Sequence, residues 1–243
     1  MPRNVTLTIM FATLLLAPLA VGGPKTKVAL ITGGHKFDEP AFTKMFDALP
    51  NIAYERLHLE KDAPFLDDIS NFPYDVVVLY NMHPTITEAQ QRNFLQLLEA
   101  GKGLVVLHHA MVAYRTWPEF AKIAGCKYFQ KPEEFGGKQW EKSYYKHDVE
   151  MTIKVAKEHP ITAGLKDFEI TDESYGGCWF AKDNKVLLTT DEPTSDGVIA
   201  YTRRYANARV ATIQLGHDAQ AYNNGNFQKL LAQAIHWTAE EGQ

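Results

Sequence analysis

Short apolar runs alternate with helix-like segments through the first half of the chain. The runs predict four buried strands, at residues 27–32, 52–59, 74–80 and 104–107. Apolar stripes between them predict helices, one from Pro40 and one capped by Thr87 and Gln90, which have capping-box spacing. Unbroken apolar strands are typical of a parallel sheet covered on both faces. The alternation therefore predicts a doubly wound α/β domain with a mostly parallel central sheet.

This pattern changes after residue 111. Residues 127–146 are rich in lysine, glutamate, glycine and aromatic residues and show no clear period. Alternating positions then predict half-exposed strands, at residues 148–155, 168–171, 186–190 and 198–203. An apolar strand at 209–215 and an amphipathic helix at 226–237 follow. We therefore predict a single domain over residues 26–239, with a partly antiparallel insertion in its second half.

Residues 1–22 differ in kind from the rest of the chain. Arg3 precedes an apolar run that ends in small residues near Ala20 and Gly22, the arrangement of a cleavable secretory signal. A retained anchor is the alternative, but the run is short for a membrane span and contains a proline. We therefore expect a periplasmic or secreted protein without a stable membrane anchor. In an oxidising compartment Cys126 and Cys178 form either one disulfide or two buried free thiols.

Composition and motifs exclude several classes of function. The formal net charge of −4 gives no electrostatic footprint for nucleic acid. The sequence has no Gly-x-Ser-x-Gly elbow, no phosphate loop and no dinucleotide-binding glycine pattern, so we expect no nucleotide cofactor. Neither cysteine ends a predicted strand, which argues against a thiol nucleophile.

Four predicted strands are followed by polar residues, and these define the candidate site. They are His35, Tyr80-Asn81, His108-His109 and His217-Asp218. Ligands bind beyond the carboxyl ends of parallel strands, so we expect these side chains at one edge of the sheet. If the fourth strand continues through His108, its side chain points away from His109 and either packs in the core or supports a residue of the site.

Histidine serves as a general base or as a metal ligand, and the sequence leaves both roles open. A divalent metal (zinc, manganese or iron) would take His35, His109 and His217 as ligands. The catalytic candidates are His109, Glu173 and His35, with Glu173 expected to face the site rather than its neighbour Asp172. The candidates for substrate binding are Asn81, Tyr80, Tyr175, His217 and Asp218. Each has an ordinary structural alternative, at a sheet rim or in a solvated loop.

Several motifs resemble the ThuA-like (trehalose utilisation) family over residues 26–239. They are Gly33-Gly34-His35, Tyr80-Asn81, Gly103 to Ala110, His159-Pro160, Asp172 to Tyr175 and Gly216-His217-Asp218. The resemblance implies a flavodoxin-like three-layer sandwich, the fold of class I glutamine amidotransferases, without their catalytic cysteine. His109 or its neighbour would stand near the position of that cysteine. The resemblance also implies a carbohydrate or keto-sugar substrate.

These observations together give a functional expectation. We expect an exported enzyme that acts on a sugar or 3-keto-glycoside by hydrolysis, elimination or isomerisation, using histidine and glutamate as acid and base. The alternative is a non-catalytic carbohydrate-binding module that reuses the fold. The sequence leaves open the reaction type, the presence of a metal and whether the chain forms a homo-oligomer.

The leader gives the first testable prediction. If residues 1–22 are a signal peptide, the exported protein should begin between Gly22 and Lys25, because signal peptidase cleaves after small residues. N-terminal sequencing of protein recovered outside the cytoplasm measures this directly. A soluble cytoplasmic protein that retains Met1 would contradict the prediction.

Overall fold

A nine-stranded sheet runs through the centre of the protein, which we describe from a computed structural model covering residues 25–240. The strands are β1 (Thr26–Gly33), β2 (Ile52–Leu59), β3 (Val76–Asn81), β4 (Gly103–Leu107), β5 (Cys126–Lys127), β6 (Glu133–Phe135), β7 (Lys138–Trp140), β8 (Tyr144–Val155), β9 (Phe168–Gly176), β10 (Trp179–Phe180), β11 (Lys185–Thr190), β12 (Val198–Tyr205) and β13 (Ala208–Ile213). The helices are α1 (Glu39–Ala48), α2 (Glu88–Glu99), α3 (Pro118–Ala124), α4 (Ala219–Tyr222) and α5 (Gly225–Ala239). The predicted leader at residues 1–22 lies outside the described residues. Within those residues, no helix has the length and apolar character needed to cross a membrane.

The central sheet has the strand order β2-β1-β3-β4-β13-β12-β11-β8-β9. The first five strands in this order pair in parallel. The remaining ladders are antiparallel, so β12 and β8 run against the other seven strands. The predicted α/β fold with a mostly parallel sheet is confirmed. The antiparallel segment extends the same sheet, while β5 with β10 and β6 with β7 form two small separate sheets.

Helices cover both faces of the sheet and give three layers. Alternate residues of each buried strand point to opposite faces, as in Leu104 and Val105 of β4. One face packs against α1 and α5, through residues such as Phe42 and Leu230. The other packs against α2 and α3, through residues such as Phe94. Local signals fix the ends of these helices, and the predicted capping box of Thr87 and Gln90 is present at the start of α2.

The direction of β9 decides what the sheet edge contains. Because β12 and β8 each reverse the chain, β9 runs in the same direction as β4 and β13. Its carboxyl half lies against the residues that follow β13, where Asp172 accepts hydrogen bonds from the amides of Gly216 and His217. Residues 172–176 therefore join the polar residues that follow β1, β4 and β13.

The two cysteines are free, buried thiols in the described part of the chain. Cys126 lies in β5, and Cys178 lies just before β10, which pairs with β5. Burial raises the pKa of Cys126 to about 12, so its thiol stays protonated at neutral pH. Of the two sequence alternatives, the structure has the free thiols.

Gly103 gives a prediction about the packing of α5 on the sheet. It opens β4 against the last turn of α5, and a Cβ at this position would lie 2.6 Å from the carbonyl carbon of Thr238. Gly103→Ala should therefore lower the free energy of unfolding by about 1–3 kcal/mol, because it overpacks a rigid backbone contact. Urea denaturation measures the change.

Gly225 is the matched control for this substitution. It is the first residue of α5, and nothing lies within 4 Å of the place that a Cβ would occupy there. Gly225→Ala should leave stability unchanged or raise it by up to about 1 kcal/mol, because alanine favours the helix. Equal losses in the two variants would contradict the assigned packing.

Candidate functional site

A pocket of about 340 Å³ opens where the strands end, and we call it the edge pocket. Residues that follow or end central strands form one side of it: His35, His109, Glu173 and Tyr175. Residues between α3 and the first half of β8 form the rest of the wall: Tyr128, Gln130, Lys142, Tyr145 and His147. The pocket thus combines a histidine- and carboxylate-bearing edge with a wall rich in tyrosine.

His108 leaves the sheet by a sharp turn instead of continuing the strand. β4 ends at Leu107, and His108 has φ of 52°, a left-handed conformation that non-glycine residues seldom adopt. A short 3₁₀ turn, His108–Val112, follows. The alternation expected for a continuing strand therefore does not apply, because the strand ends before His108.

The imidazole of His108 is fully buried at the centre of a polar cluster. Its Nδ1 lies 2.8 Å from the carbonyl oxygen of Gln214. Its Nε2 lies 3.2 Å from Nδ1 of His217, 3.2 Å from the hydroxyl of Tyr175 and 3.3 Å from Oε2 of Glu173. Nδ1 of His108 thus contacts a backbone carbonyl, and Nε2 contacts three polar side chains.

Glu173 connects this cluster to the edge pocket. Its side chain is 6% exposed, and Oε2 lies 3.5 Å from Nδ1 of His217 as well as close to His108. Its second oxygen, Oε1, lies 3.1 Å from Nδ1 of His147, whose side chain is half exposed. His147 was not among the predicted site residues, because it lies in a register irregularity of β8 between Lys146 and Val149. The positive φ of Asp148 marks this irregularity, and nothing in the hydrophobic pattern indicates it.

The adjacent carboxylates of Asp172 and Glu173 have different surroundings. Asp172 accepts backbone hydrogen bonds from Gly216 at 2.7 Å, His217 at 2.9 Å and Glu173 at 2.8 Å. Asp172 is therefore a positioning residue that holds the segment after β13 against β9. Glu173 lines the edge pocket, and Asp172 does not.

His35 and His109 form a stacked pair beside the cluster, with ring centroids 4.6 Å apart. His35 is exposed to the pocket, whereas His109 is buried behind it. Nε2 of His109 lies 3.3 Å from the carbonyl oxygen of Tyr80. Its Nδ1 has no hydrogen-bond partner among residues 25–240.

Other candidates for substrate binding occupy structural positions. Tyr80 is fully buried, and its hydroxyl contacts the carbonyl oxygen of Gly216 and the hydroxyl of Tyr222. Asn81 is also fully buried, so neither side chain reaches a ligand in the edge pocket. Asp218 caps α4 by accepting from the amide of Gln220. Of the predicted set, Tyr175 lines the pocket and His217 is partly exposed beside it.

The group of side chains that could hold a metal ion differs from the one the sequence suggested. Among the described residues, His35 and His109 do not join His217 in a converging group of ligand atoms, because they stack on each other instead. His108, Glu173 and His217 do converge, with ligand atoms within 4.8 Å of one another.

Burial and mutual contact shift the pKa values of these groups in opposite directions. Burial lowers the pKa values of His35, His109 and His217, and the proximity of His108 lowers them further. Burial also acts to lower the pKa of His108, but Glu173 and Asp172 reverse this and raise it. Burial acts to raise the pKa of Glu173, yet contact with His108 outweighs it and lowers that pKa. These shifts favour a carboxylate at Glu173, a positive charge at His108 and neutral imidazoles at His35, His109 and His217.

This fold and this site define an α/β protein of the class I glutamine amidotransferase-like type, with histidines rather than a thiol at the sheet edge. The chain belongs to the ThuA family, whose model, described as trehalose utilisation, matches residues 30–238. Among curated proteins, none matches this chain.

Solved structures support the fold. A putative ThuA-like protein from Parabacteroides merdae ATCC 43184 is 23% identical, with a TM-score of 0.73 over 90% of this chain and 92% of that one. A putative ThuA-like protein from Bacteroides uniformis ATCC 8492 is also 23% identical, with a TM-score of 0.66 over 92% and 94%. A cytoplasmic protein from Salmonella typhimurium LT2 is 12% identical, with a TM-score of 0.60 over 88% and 99%. At these identities the likeness establishes the fold alone.

Asp172 gives a prediction about how the site is held together. Asp172→Asn keeps one acceptor oxygen but places an NH₂ group against a backbone amide, which leaves buried donors unpaired. The free energy of unfolding should fall by about 1–3 kcal/mol, the usual cost of an unsatisfied buried polar group. Chemical denaturation at neutral pH measures the loss.

Asp218→Asn is the control, because it is the same substitution in the segment that Asp172 holds. Asp218 caps α4 at a partly exposed position, and asparagine caps helices as well as aspartate does. Its stability should stay within about 0.5 kcal/mol of wild type. An Asp172→Asn variant as stable as Asp218→Asn would show that the three amide contacts do not matter.

Proposed function

We propose that this protein is an exported enzyme that acts on a sugar or 3-keto-glycoside by acid–base chemistry, in the periplasm or outside the cell. The observation that carries the proposal is the carboxylate of Glu173. It borders the edge pocket, and imidazole nitrogens of His108, His147 and His217 lie within 3.5 Å of it. A carboxylate among imidazoles of different accessibility provides the acids and bases that proton transfer to and from a substrate requires.

The shape and lining of the pocket support a carbohydrate ligand. Its volume of about 340 Å³ lies within the range of small-molecule sites. Tyr128, Tyr145 and Tyr175 offer ring surface for the apolar face of a sugar, and Gln130 and Lys142 offer hydrogen-bond donors. The family description, trehalose utilisation, agrees with a sugar substrate.

Proton abstraction next to a ketone is the step that these residues suit best. A carbonyl at C3 of a sugar acidifies the C–H bond at C2, and a base removes that proton to form an enolate. In isomerisation a proton then adds at C3 while the proton of the C2 hydroxyl passes to the C3 oxygen, so that the carbonyl moves to C2. In elimination the bond from C1 to the glycosidic oxygen breaks, and that oxygen takes up a proton. Both outcomes need one base and one group that stabilises the enolate oxygen.

The accessibility of each group suggests its role in this proposal. His35 is exposed to the pocket and is assigned as the base, with Glu173 as a second acid–base group that lines the same pocket. His109 lies behind His35 and stacks on it, so it positions that ring. His108, His147 and His217 orient Glu173, and the positive charge favoured at His108 helps to offset the negative charge of the developing enolate.

The test uses purified protein with a panel of 3-keto-disaccharides and the corresponding unoxidised disaccharides, with products followed by NMR. Wild type should convert a keto-sugar. Glu173→Gln and His35→Ala should each lower turnover by roughly 10²–10⁴-fold, the usual contribution of a positioned acid or base. Sugar binding, measured by calorimetry, should change much less than turnover.

Glu169→Gln is the matched control, because Glu169 lies on the same strand but is exposed and outside the edge pocket. Its turnover should equal that of wild type. Near wild-type turnover in both Glu173→Gln and His35→Ala would place the chemistry elsewhere. Sugar binding without turnover in wild type would favour the non-catalytic carbohydrate-binding module.

A further inference from the structure

The ligand atoms of His108, Glu173 and His217 form a nearly equilateral triangle. The distances are 3.2 Å between Nε2 of His108 and Nδ1 of His217, 3.3 Å from the former to Oε2 of Glu173, and 3.5 Å from the latter to the same oxygen. A tetrahedral zinc ion with bonds of about 2.0–2.1 Å holds its nitrogen and oxygen ligands about 3.3–3.4 Å apart. We propose that these three side chains bind one divalent metal ion, with zinc preferred, and leave its fourth position to water or a ligand.

The hydrogen bonding of His108 supports a cation at this position. Its Nδ1 lies 2.8 Å from a backbone carbonyl oxygen, that of Gln214, so this nitrogen carries the proton. Without a second proton on the ring, Nε2 presents a lone pair to the carboxylate of Glu173, 3.3 Å away. Two acceptors at this distance repel each other unless a proton or a metal ion lies between them. A histidine whose other nitrogen donates to a backbone carbonyl is the usual arrangement of a metal ligand.

The negative charge of the buried carboxylates also supports a bound cation. Asp172 and Glu173 are adjacent and buried, and in the described part of the chain neither forms a salt bridge with lysine or arginine. A buried carboxylate is stable only when it is paired, hydrogen-bonded or bound to a metal. Backbone amides satisfy Asp172, whereas the contacts of Glu173 are all to titratable side chains. One divalent ion would balance the two carboxylates.

The three ligands are held in place by contacts that do not involve a metal. The carbonyl of Gln214 orients His108, the carboxylate of Asp172 holds the backbone of His217, and His147 contacts the second oxygen of Glu173. Such supporting contacts fix the direction of metal-binding side chains and strengthen binding. The site therefore needs little rearrangement to receive an ion.

The donor set indicates which metals fit. Two imidazole nitrogens and one carboxylate oxygen suit zinc and, less strongly, manganese or iron, whereas magnesium and calcium favour oxygen ligands throughout. Metal binding by the protein alone is independent of the proposed reaction, so each can fail without the other.

The experiment measures zinc uptake by purified protein that has been treated with a chelator and dialysed. Calorimetric titration with zinc chloride, checked by elemental analysis, should give one ion per chain. Substituting cobalt(II) should give the intense visible absorption of tetrahedral coordination. His217→Ala and Glu173→Gln should each weaken zinc binding by more than about 100-fold, since loss of a direct ligand exceeds the 10–100-fold cost of losing a supporting contact.

Two further variants make the result specific. His58→Ala removes a half-exposed histidine of β2 outside the site and should leave zinc binding unchanged. His35→Ala should also retain zinc, which separates the metal site from the proposed base. Circular dichroism checks that each variant is folded. Equal zinc affinity in wild type and His217→Ala, or no uptake by wild type, overturns the proposal and leaves a proton between His108 and Glu173.

Discussion

The backbone of His108 turns left-handed at the end of β4, and the arrangement of the site depends on this turn. A non-glycine residue in this conformation costs of order 1–3 kcal/mol, which the surrounding contacts must offset. Those contacts are to Gln214, His217 and Glu173, and all of them require the imidazole to leave the plane of the strand. The turn therefore places the imidazole beside Glu173 and His217 while the backbone of His108 stays in the core.

The partners of His108 come from distant parts of the chain, after β13 and in the edge strand β9, so the site depends on the whole topology. Two strands, β12 and β8, reverse the chain and return β9 in the direction of β4. Asp172 then joins β9 to Gly216 and His217 across sequence separations of 44 and 45 residues. Loss of these contacts would separate Glu173 from the histidines without unfolding the parallel half. The position of Glu173 beside the histidines therefore depends on one buried carboxylate, that of Asp172.

The parallel half of the fold was predictable because its signals are local. Apolar runs, capping residues and glycines mark β1, β3, β4 and α2 within a few residues each. The convergence of the histidines that follow the strands also came from the pattern. The turn at His108 could not be predicted, because the pattern of apolar and polar residues does not indicate a positive φ at a non-glycine residue. His147 depends on how β8 pairs with β9, and the burial of Tyr80 depends on Tyr222, far along the chain. Such features arise only from long-range packing.

The residues that line the edge pocket come partly from the central sheet and partly from a segment outside it. The edge that bears histidines and Glu173 is built from strands that share one continuous ladder of hydrogen bonds. Three residues of the other wall, Tyr128, Gln130 and Lys142, come from the segment between α3 and β8, whose small strands β6 and β7 pair with each other. Gln130 and Lys142 are exposed and lie outside the central sheet, so substituting them leaves its ladder intact and costs little stability. These two positions can therefore vary without disturbing the edge that bears the histidines and Glu173.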